Sequence, residues 1–356
     1  MVRERSRSRC RQRLALLAGS DLDVDSLRLE AMEHLRRAIG FDAWCSPLVD
    51  PASLIPYRPV VSEALPFGDR LPRLLVLDQG PDELISRARV ARSRGRVWTL
   101  SAASNGDLAR SRRWRECAQP AGVGDELRAA AVDEHGCWAS FEALRASDDP
   151  PFASEDSDLM RDAARMLARS LRKASVRATD DGGVEPGETG VLLLDDDLQP
   201  RGFTKAAREW LTLLRARERP EPTLLPVHVY AVVGRLLGAE AGDDPQRPAR
   251  VRVRTSGARW AIVEAARLDG IENAIVVSVH AASAEDVLDV VARAHGLTAR
   301  ERELVALVLE GLDTRQISGR MFISRYTVQD HLKAVFAKLG VRSRRELVTG
   351  VFGQAA

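Results

Sequence analysis

Apolar residues recur at helical spacing at Leu27, Ala31, Leu35 and Ala38, and again at Leu159, Ala163, Met166, Leu167 and Leu171. A period of three to four residues puts each set on one helix face. Between them, residues 74–77 and 97–100 are short apolar runs bounded by turn residues, the pattern of buried strands. Further strands are predicted over 191–194, 251–254, 260–263 and 275–279, with Ser256 and Gly257 in a turn between the second and third. A helix is predicted over 206–214 and another over 284–294. Residues 179–188 are rich in Gly, Asp, Glu and Pro, which cannot hold regular structure and predict a linker. Arginine occupies every odd position from Arg3 to Arg13. That run predicts a solvated, disordered tail, with a nucleic-acid-binding arm as the alternative.

The last sixty residues can be parsed from their helix signals. Thr298 with Glu301 forms a capping box, Leu304, Leu307 and Val308 give the helix an apolar face, and Gly311 ends it. Asp313 with Gln316 opens a second, short helix with Ile317 and Met321 inward. Ser324 caps a third, whose entry is stapled by Ile323 and Val328 and whose buried stripe is Val328, Leu332, Val335, Phe336 and Leu339. Gly340 ends it, and Ser343 with Glu346 opens a fourth, packed through Leu347, Val348 and Val351. The second and third helices have the tight spacing of a helix-turn-helix.

What remains outside the third helix suits a DNA groove. Arg325, Gln329 and Lys333 form one polar stripe, Thr327 and His331 another, with Tyr326 and Asp330 between. Gln pairs with adenine edges, Arg or Lys with guanine, and Asp accepts from cytosine. Thr314, Ser324, Thr327, His331 and Lys338 are suited to phosphates, as are the free N–H groups at the helix starts. The alternative is a helical interaction domain whose charged stripe is only solvated.

The fold class is therefore multidomain: α+β sensor-like domains followed by an all-α four-helix domain. The parts are a basic tail (1–20), a first α+β domain (21–178), a linker (179–189), a second α+β domain (190–283), a connecting helix (284–296) and the helical domain (297–356).

Charge sharpens this picture only locally. The chain of 356 residues carries +2 overall. From Leu297 onward, ten Lys and Arg face six Asp and Glu, so this end carries +4 and the rest −2. The positive excess sits where a polyanion would be met. The hydrophobic fraction of 45% and charged fraction of 29% are those of a globular protein without a membrane span. Cys10, Cys45, Cys117 and Cys137 are scattered and predict free thiols of a cytoplasmic protein, and the six histidines show no metal-ligand spacing.

Leu297-Thr-Ala-Arg-Glu301, Gly311, Ile317-Ser318, Ile323-Ser324, Thr327-Val328, His331 and Lys338-Leu-Gly-Val-Arg342 resemble the signature of LuxR-type helix-turn-helix regulators. The resemblance covers 297–352. It departs at Gly319-Arg320, where the family usually carries alanine, and at Asp330 on the presumed reading face. It implies that the third helix reads bases through Gln329, Asp330 and Lys333, beside Arg325, and that the fourth supports dimerisation. Thr314, Thr327 and His331 then fall near phosphates.

Upstream, Ala38-Ile-Gly-Phe-Asp-Ala-Trp44 with Asp50-Pro51, Gly124-Asp-Glu-Leu-Arg128 and Cys137-Trp138 resemble a GAF-like domain. Gly190-Val-Leu-Leu-Leu-Asp195 and the stretch 201–210 resemble a PAS-like domain. The implied protein is a DNA-binding transcription regulator and not an enzyme. Its partners would be double-stranded DNA, a second copy of itself, a small-molecule ligand upstream and RNA polymerase, and no membrane. The cofactor is left open.

Other chemistries find less support. Glu134-His135 and Cys137 are the nearest approach to a catalytic cluster, and a strand turn explains them. Asp195-Asp196-Asp197 suggests a turn after a strand, and neither Lys173 nor Lys205 stands where a phosphorylatable receiver domain needs its lysine. No phosphate-binding G-x-x-x-x-G-K-[ST] loop is present. Three tyrosines do not make the tyrosine- and tryptophan-rich pocket of acyl-homoserine-lactone receptors. Trp44, Trp98, Trp114 and Trp138 are candidates for a pocket or for the core.

Overall fold

In first-unit chain order, the helices and strands are α1 (Val2–Ala18), α2 (Val24–Ile39), β1 (Ala43–Val49), β2 (Pro56–Val61), α3 (Leu71–Leu77), α4 (Arg87–Arg92), β3 (Val97–Thr99), α5 (Leu100–Ala103), β4 (Val123–Asp133), β5 (Gly136–Ala146) and α6 (Ser154–Ser175). The second unit follows with β6 (Gly190–Leu194), β7 (Pro200–Phe203), α7 (Lys205–Arg215), α8 (Val227–Glu240), β8 (Arg250–Arg254), β9 (Trp260–Arg267) and β10 (Ile275–Ala281). Then come α9 (Ala284–His295), α10 (Ala299–Leu309), α11 (Thr314–Met321), α12 (Arg325–Leu339) and α13 (Arg344–Glu346), which runs on into wider turns over Leu347–Phe352. This computed structural model describes residues 2–61, 65–176, 187–215, 225–255, 259–271 and 273–352. Most of the predicted linker and the turn at Ser256 and Gly257 lie outside the described residues.

Both α+β units are built on a five-stranded antiparallel sheet, β2-β1-β5-β4-β3 in the first and β7-β6-β10-β9-β8 in the second. Numbered within each unit, the strand order is the same. β4 and β5 form a long hairpin, Leu127 opposite Ala143, with Glu134 and His135 in its turn. Asp195-Asp196-Asp197 likewise occupies a turn, between β6 and β7. The core of the first unit lies between its sheet and α6, whose Leu159, Ala163, Leu167 and Leu171 are fully buried. Trp44 and Trp138 are core residues, whereas Trp98 is exposed.

Three expectations need correction. The arginine-rich N-terminus is not a disordered tail but helix α1. Cys10, Leu14 and Leu17 bury one face against α2 and α6, and Arg7 and Arg11 pair with Asp156 and Asp162 of α6. Leu74-Leu-Val-Leu77 is not a strand but most of α3. A four-residue apolar run has no readable period, and Pro72 at the first turn suits a helix start. Val348 does not pack the last turns: it is 38% exposed, and Leu347 and Phe352 are buried instead. Helix α8 was not anticipated. Its apolar residues cover it nearly all round, because it lies between α3 of the first unit and β9 of the second.

The two α+β units meet at two tight places. At Gly234 of α8, an added Cβ would sit 2.7 Å from the Val76 Cα, and at Gly238 it would overlap the Gln79 carbonyl. Close by, buried Asp50 accepts two side-chain hydrogen bonds of 2.8 Å from Arg252. Burial raises the Asp50 pKa, but Arg252 more than offsets this and holds the carboxyl below its ordinary value.

Candidate nucleic-acid interface

The caps predicted from sequence form as hydrogen bonds. The Glu301 N–H donates to Thr298 Oγ1 at 3.2 Å, and the Thr298 N–H to the Glu301 carboxylate at 2.7 Å. Asp313 and Gln316 repeat the exchange at 2.8 Å in both directions. Ser324 Oγ accepts from the Thr327 N–H at 3.0 Å, and Ser343 Oγ from the Glu346 N–H at 3.1 Å. Each bond satisfies an N–H that an open helix start would leave bare.

Between α11 and α12 the chain turns within three residues. Phe322 takes a left-handed conformation at φ +55°. Ser318 Oγ donates to the Ile323 carbonyl at 2.6 Å, and the Ile323 N–H returns to the Ser318 carbonyl at 3.2 Å. Below the turn, Leu304, Val308, Ile317, Met321, Val328, Leu332 and Val335 are buried together. This fixes which side of α12 faces out. Phe336, predicted in the buried stripe, is only half-buried.

Arg325, Gln329, Asp330 and Lys333 are all exposed on that outer side. Gln329 Nε2 donates to Thr314 Oγ1 at 3.2 Å, so a predicted base reader and a predicted phosphate partner from two helices stand together. Lys333 Nζ lies 3.6 Å from the Asp330 carboxylate. Asp330 thus has its repulsive charge partly compensated by its neighbour, and an exposed pair of this kind is easily parted. Thr327 and His331 are half-buried beside the stripe, and Thr327 Oγ1 is 2.9 Å from Ser324 Oγ.

Lys338 stands apart from this group. Its ammonium donates to the Gly296 carbonyl at 3.1 Å and to the Glu301 carboxylate at 2.6 Å. The side chain ties the end of α12 to the start of α10. Burial raises the Glu301 pKa, but the hydrogen bonds from Lys338 and Thr298 outweigh it and hold the carboxyl below its ordinary value.

Sequence reasoning gave no contact role to other residues of these two helices. Arg315 and Arg320 project from α11 into solvent. Phe322 is 94% exposed and Tyr326 78%, an unusual display of aromatic surface around one turn. The signal was available: Phe322 falls off the inner face set by Ile317 and Met321.

The domain does not hang on a tether. Gly296 ends α9 in a left-handed conformation, and a Cβ there would come within 3.1 Å of the His135 ring in the β4–β5 turn. Arg172 of α6 donates to the Ala294 carbonyl at 2.5 Å and to Asp133 at 2.7 Å. His295 Nδ1 is 3.1 Å from the Lys338 carbonyl.

Comparison with known proteins points the same way. The profile of the bacterial regulatory proteins of the luxR family matches residues 295–351. The spore germination protein GerE of Bacillus subtilis is 40% identical over 52 residues, 15% of this chain and 70% of GerE. The DNA-binding transcriptional activator DevR/DosR of Mycobacterium tuberculosis is 43% identical over 51 residues, 14% of this chain and 24% of that protein. A Mycobacterium tuberculosis HTH-type transcriptional regulator is 54% identical over 52 residues, and the chain spans only 6% of its length. The profile match falls on the C-terminal helices, and each of these relatives matches only 14–15% of this chain. Through them the chain belongs to the luxR family of bacterial regulatory proteins.

Proposed function

We propose that the chain is a transcription regulator that binds a specific site on double-stranded DNA, with α12 in the major groove. The observation that carries this reading is the exposure of Arg325, Gln329 and Lys333 on the side of α12 opposite buried Val328, Leu332 and Val335. In this reading Arg325, Gln329, Asp330 and Lys333 meet base edges, and Thr314, Ser324, Thr327 and His331 lie along the backbone. Tyr326 and Phe322 offer apolar surface to thymine methyls and sugars.

The regulator acts as a homodimer in the cytoplasm, because one module of this size buries too little surface for tight specific binding. The upstream units act as GAF-like and PAS-like sensors of a ligand or partner, and RNA polymerase is the partner downstream. Their shared strand order supports a common sensor architecture.

The test is selection from a random DNA library followed by titration at several salt concentrations. An inverted-repeat motif bound with a steep salt dependence is expected. Failure to enrich any motif, with no binding at low salt, would refute the proposal.

A further inference from the structure

The first unit encloses a cavity that none of the DNA-binding chemistry uses. Its free volume is about 70 Å³, several times what a single water needs. The walls are mostly apolar: Tyr57, Phe67, Leu71, Leu75 and Leu144 line it, and Val227 reaches in from α8 of the second unit. The four tryptophans once considered for a pocket are not among its lining.

The floor is charged but already matched. Arg87 holds the Glu142 carboxylate through two hydrogen bonds of 2.6 and 2.9 Å and also bonds Asp78 at 2.6 Å. Arg113 holds Glu126 through two, of 3.0 and 2.6 Å. Arg128 bonds Asp78 and the Ile85 carbonyl, and Glu83 stands 3.5 Å from Arg113. All seven of these side chains are buried. Three cations thus face four anions, so a buried anion would gain little attraction. Glu126 and Glu142 are each engaged on both oxygens, which leaves no free carboxylate for a buried cation. Cys45 and Tyr57 add no charge, since burial pushes each up to about 12. Two donors remain: Arg113 Nε and Arg128 Nε, both buried, make no hydrogen bond.

The cavity also touches the seam between the units. Leu71, Leu74 and Leu75 line it from α3. Val76 and Gln79, at the other side and end of that helix, are the residues against which Gly234 and Gly238 of α8 are pressed. Close-packed backbones transmit a shift instead of absorbing it.

We propose that this cavity binds a neutral, largely apolar small molecule that carries a hydrogen-bond acceptor, and that α3 and Val227 pass its occupancy to the second unit. The proposal rests on the reading that the upstream units receive a signal, and it names the site and the ligand class. A ligand shifts the protein only by binding one arrangement of α3 and α8 better than another.

The test uses the full chain and the neutral, environment-sensitive ketone 6-propionyl-2-(dimethylamino)naphthalene. Saturable blue-shifted fluorescence with one site per chain is expected. Leu75→Trp and, separately, Leu71→Trp fill the cavity and should each weaken binding roughly tenfold or more. Each variant is used only where circular dichroism shows it folded. Competition needs no variant: 2-naphthamide should displace the probe at roughly tenfold lower concentration than 2-naphthoate. Hydrogen exchange over α8 should slow with the probe bound.

No saturable binding, or folded tryptophan variants that bind like the parent, would overturn the site. Naphthoate binding as tightly as the amide would overturn the neutral class, and unchanged exchange in α8 would overturn the coupling. A chain that selects a DNA motif but binds no probe refutes this inference alone. One that binds probe but no DNA refutes only the DNA reading.

Discussion

The same substitution, glycine to alanine, should have opposite effects at two helical positions of this chain. At Gly319 in α11 an added Cβ meets nothing within 4 Å. The helix gains the full propensity difference, about 0.8–1 kcal/mol, with nothing to offset it. At Gly238 in α8 the same methyl overlaps the Gln79 carbonyl oxygen and comes within 3.1 Å of its carbon. Those are backbone atoms, which cannot rotate aside as a side-chain tip can. Overpacking of this kind costs roughly 1–3 kcal/mol or more, and separating α8 from α3 would expose apolar surface as well. Subtracting the propensity gain leaves Gly238→Ala destabilising by up to about 2 kcal/mol. Each kcal/mol moves a melting midpoint by about 4–8 °C in a domain as small as the helical one and by about 2–4 °C in the larger paired sheets. Scanning calorimetry of the full chain reads both changes, Gly319→Ala in the melting of the helical domain and Gly238→Ala in that of the paired sheets. Gly319→Ala should raise its transition by a few degrees, and Gly238→Ala should lower the other. If Gly238→Ala raised its transition as well, α8 would not be seated on α3, and the proposed coupling would lose its contact.

Three further outcomes follow. Gln329→Ala and Lys333→Ala should each relax preference at particular base pairs, by about 1–3 kcal/mol, in a library selection; uniform weakening on all sequences would place them at phosphates instead. Lys338→Met should lower the stability of the helical domain but leave the slope of log K against log salt unchanged, and a slope reduced by about one unit would restore Lys338 to the phosphate set. Burial depresses the His228 pKa to about 4. The folded imidazole then stays neutral while the unfolded one protonates below about 6.5. Stability should fall by up to roughly 3 kcal/mol between pH 6.5 and 4, and His228→Gln should flatten that part of the profile.

What was legible in the sequence was local. Each helix cap joins residues three apart, so Thr298 with Glu301 and Asp313 with Gln316 could be read directly. The buried stripe of α12 follows from periodicity alone. The bond from Lys338 was not legible because its partner Glu301 is 37 residues away, and nothing in the neighbouring chain announces it. Arg87, Arg113 and Arg128 looked like ordinary charged residues, and only folding shows them sharing three buried carboxylates and a fourth nearby. Helix α1 hid behind its own arginines, whose alternation masks the spacing of Cys10, Leu14 and Leu17. α8 was illegible for the opposite reason, since it is apolar nearly all round and offers no polar face to set a period.

The direct seating of α9 against the β4–β5 turn makes that helix a lever. Its 12 residues extend about 18 Å at 1.5 Å per residue. A swing of only 10° at one end would carry the other roughly 3 Å, close to the 3.4 Å rise between successive base pairs. Had Gly296 opened into a loose tether, such a swing would be lost in slack. Held by His135, Arg172 and Lys338, it would arrive at α12 undiminished.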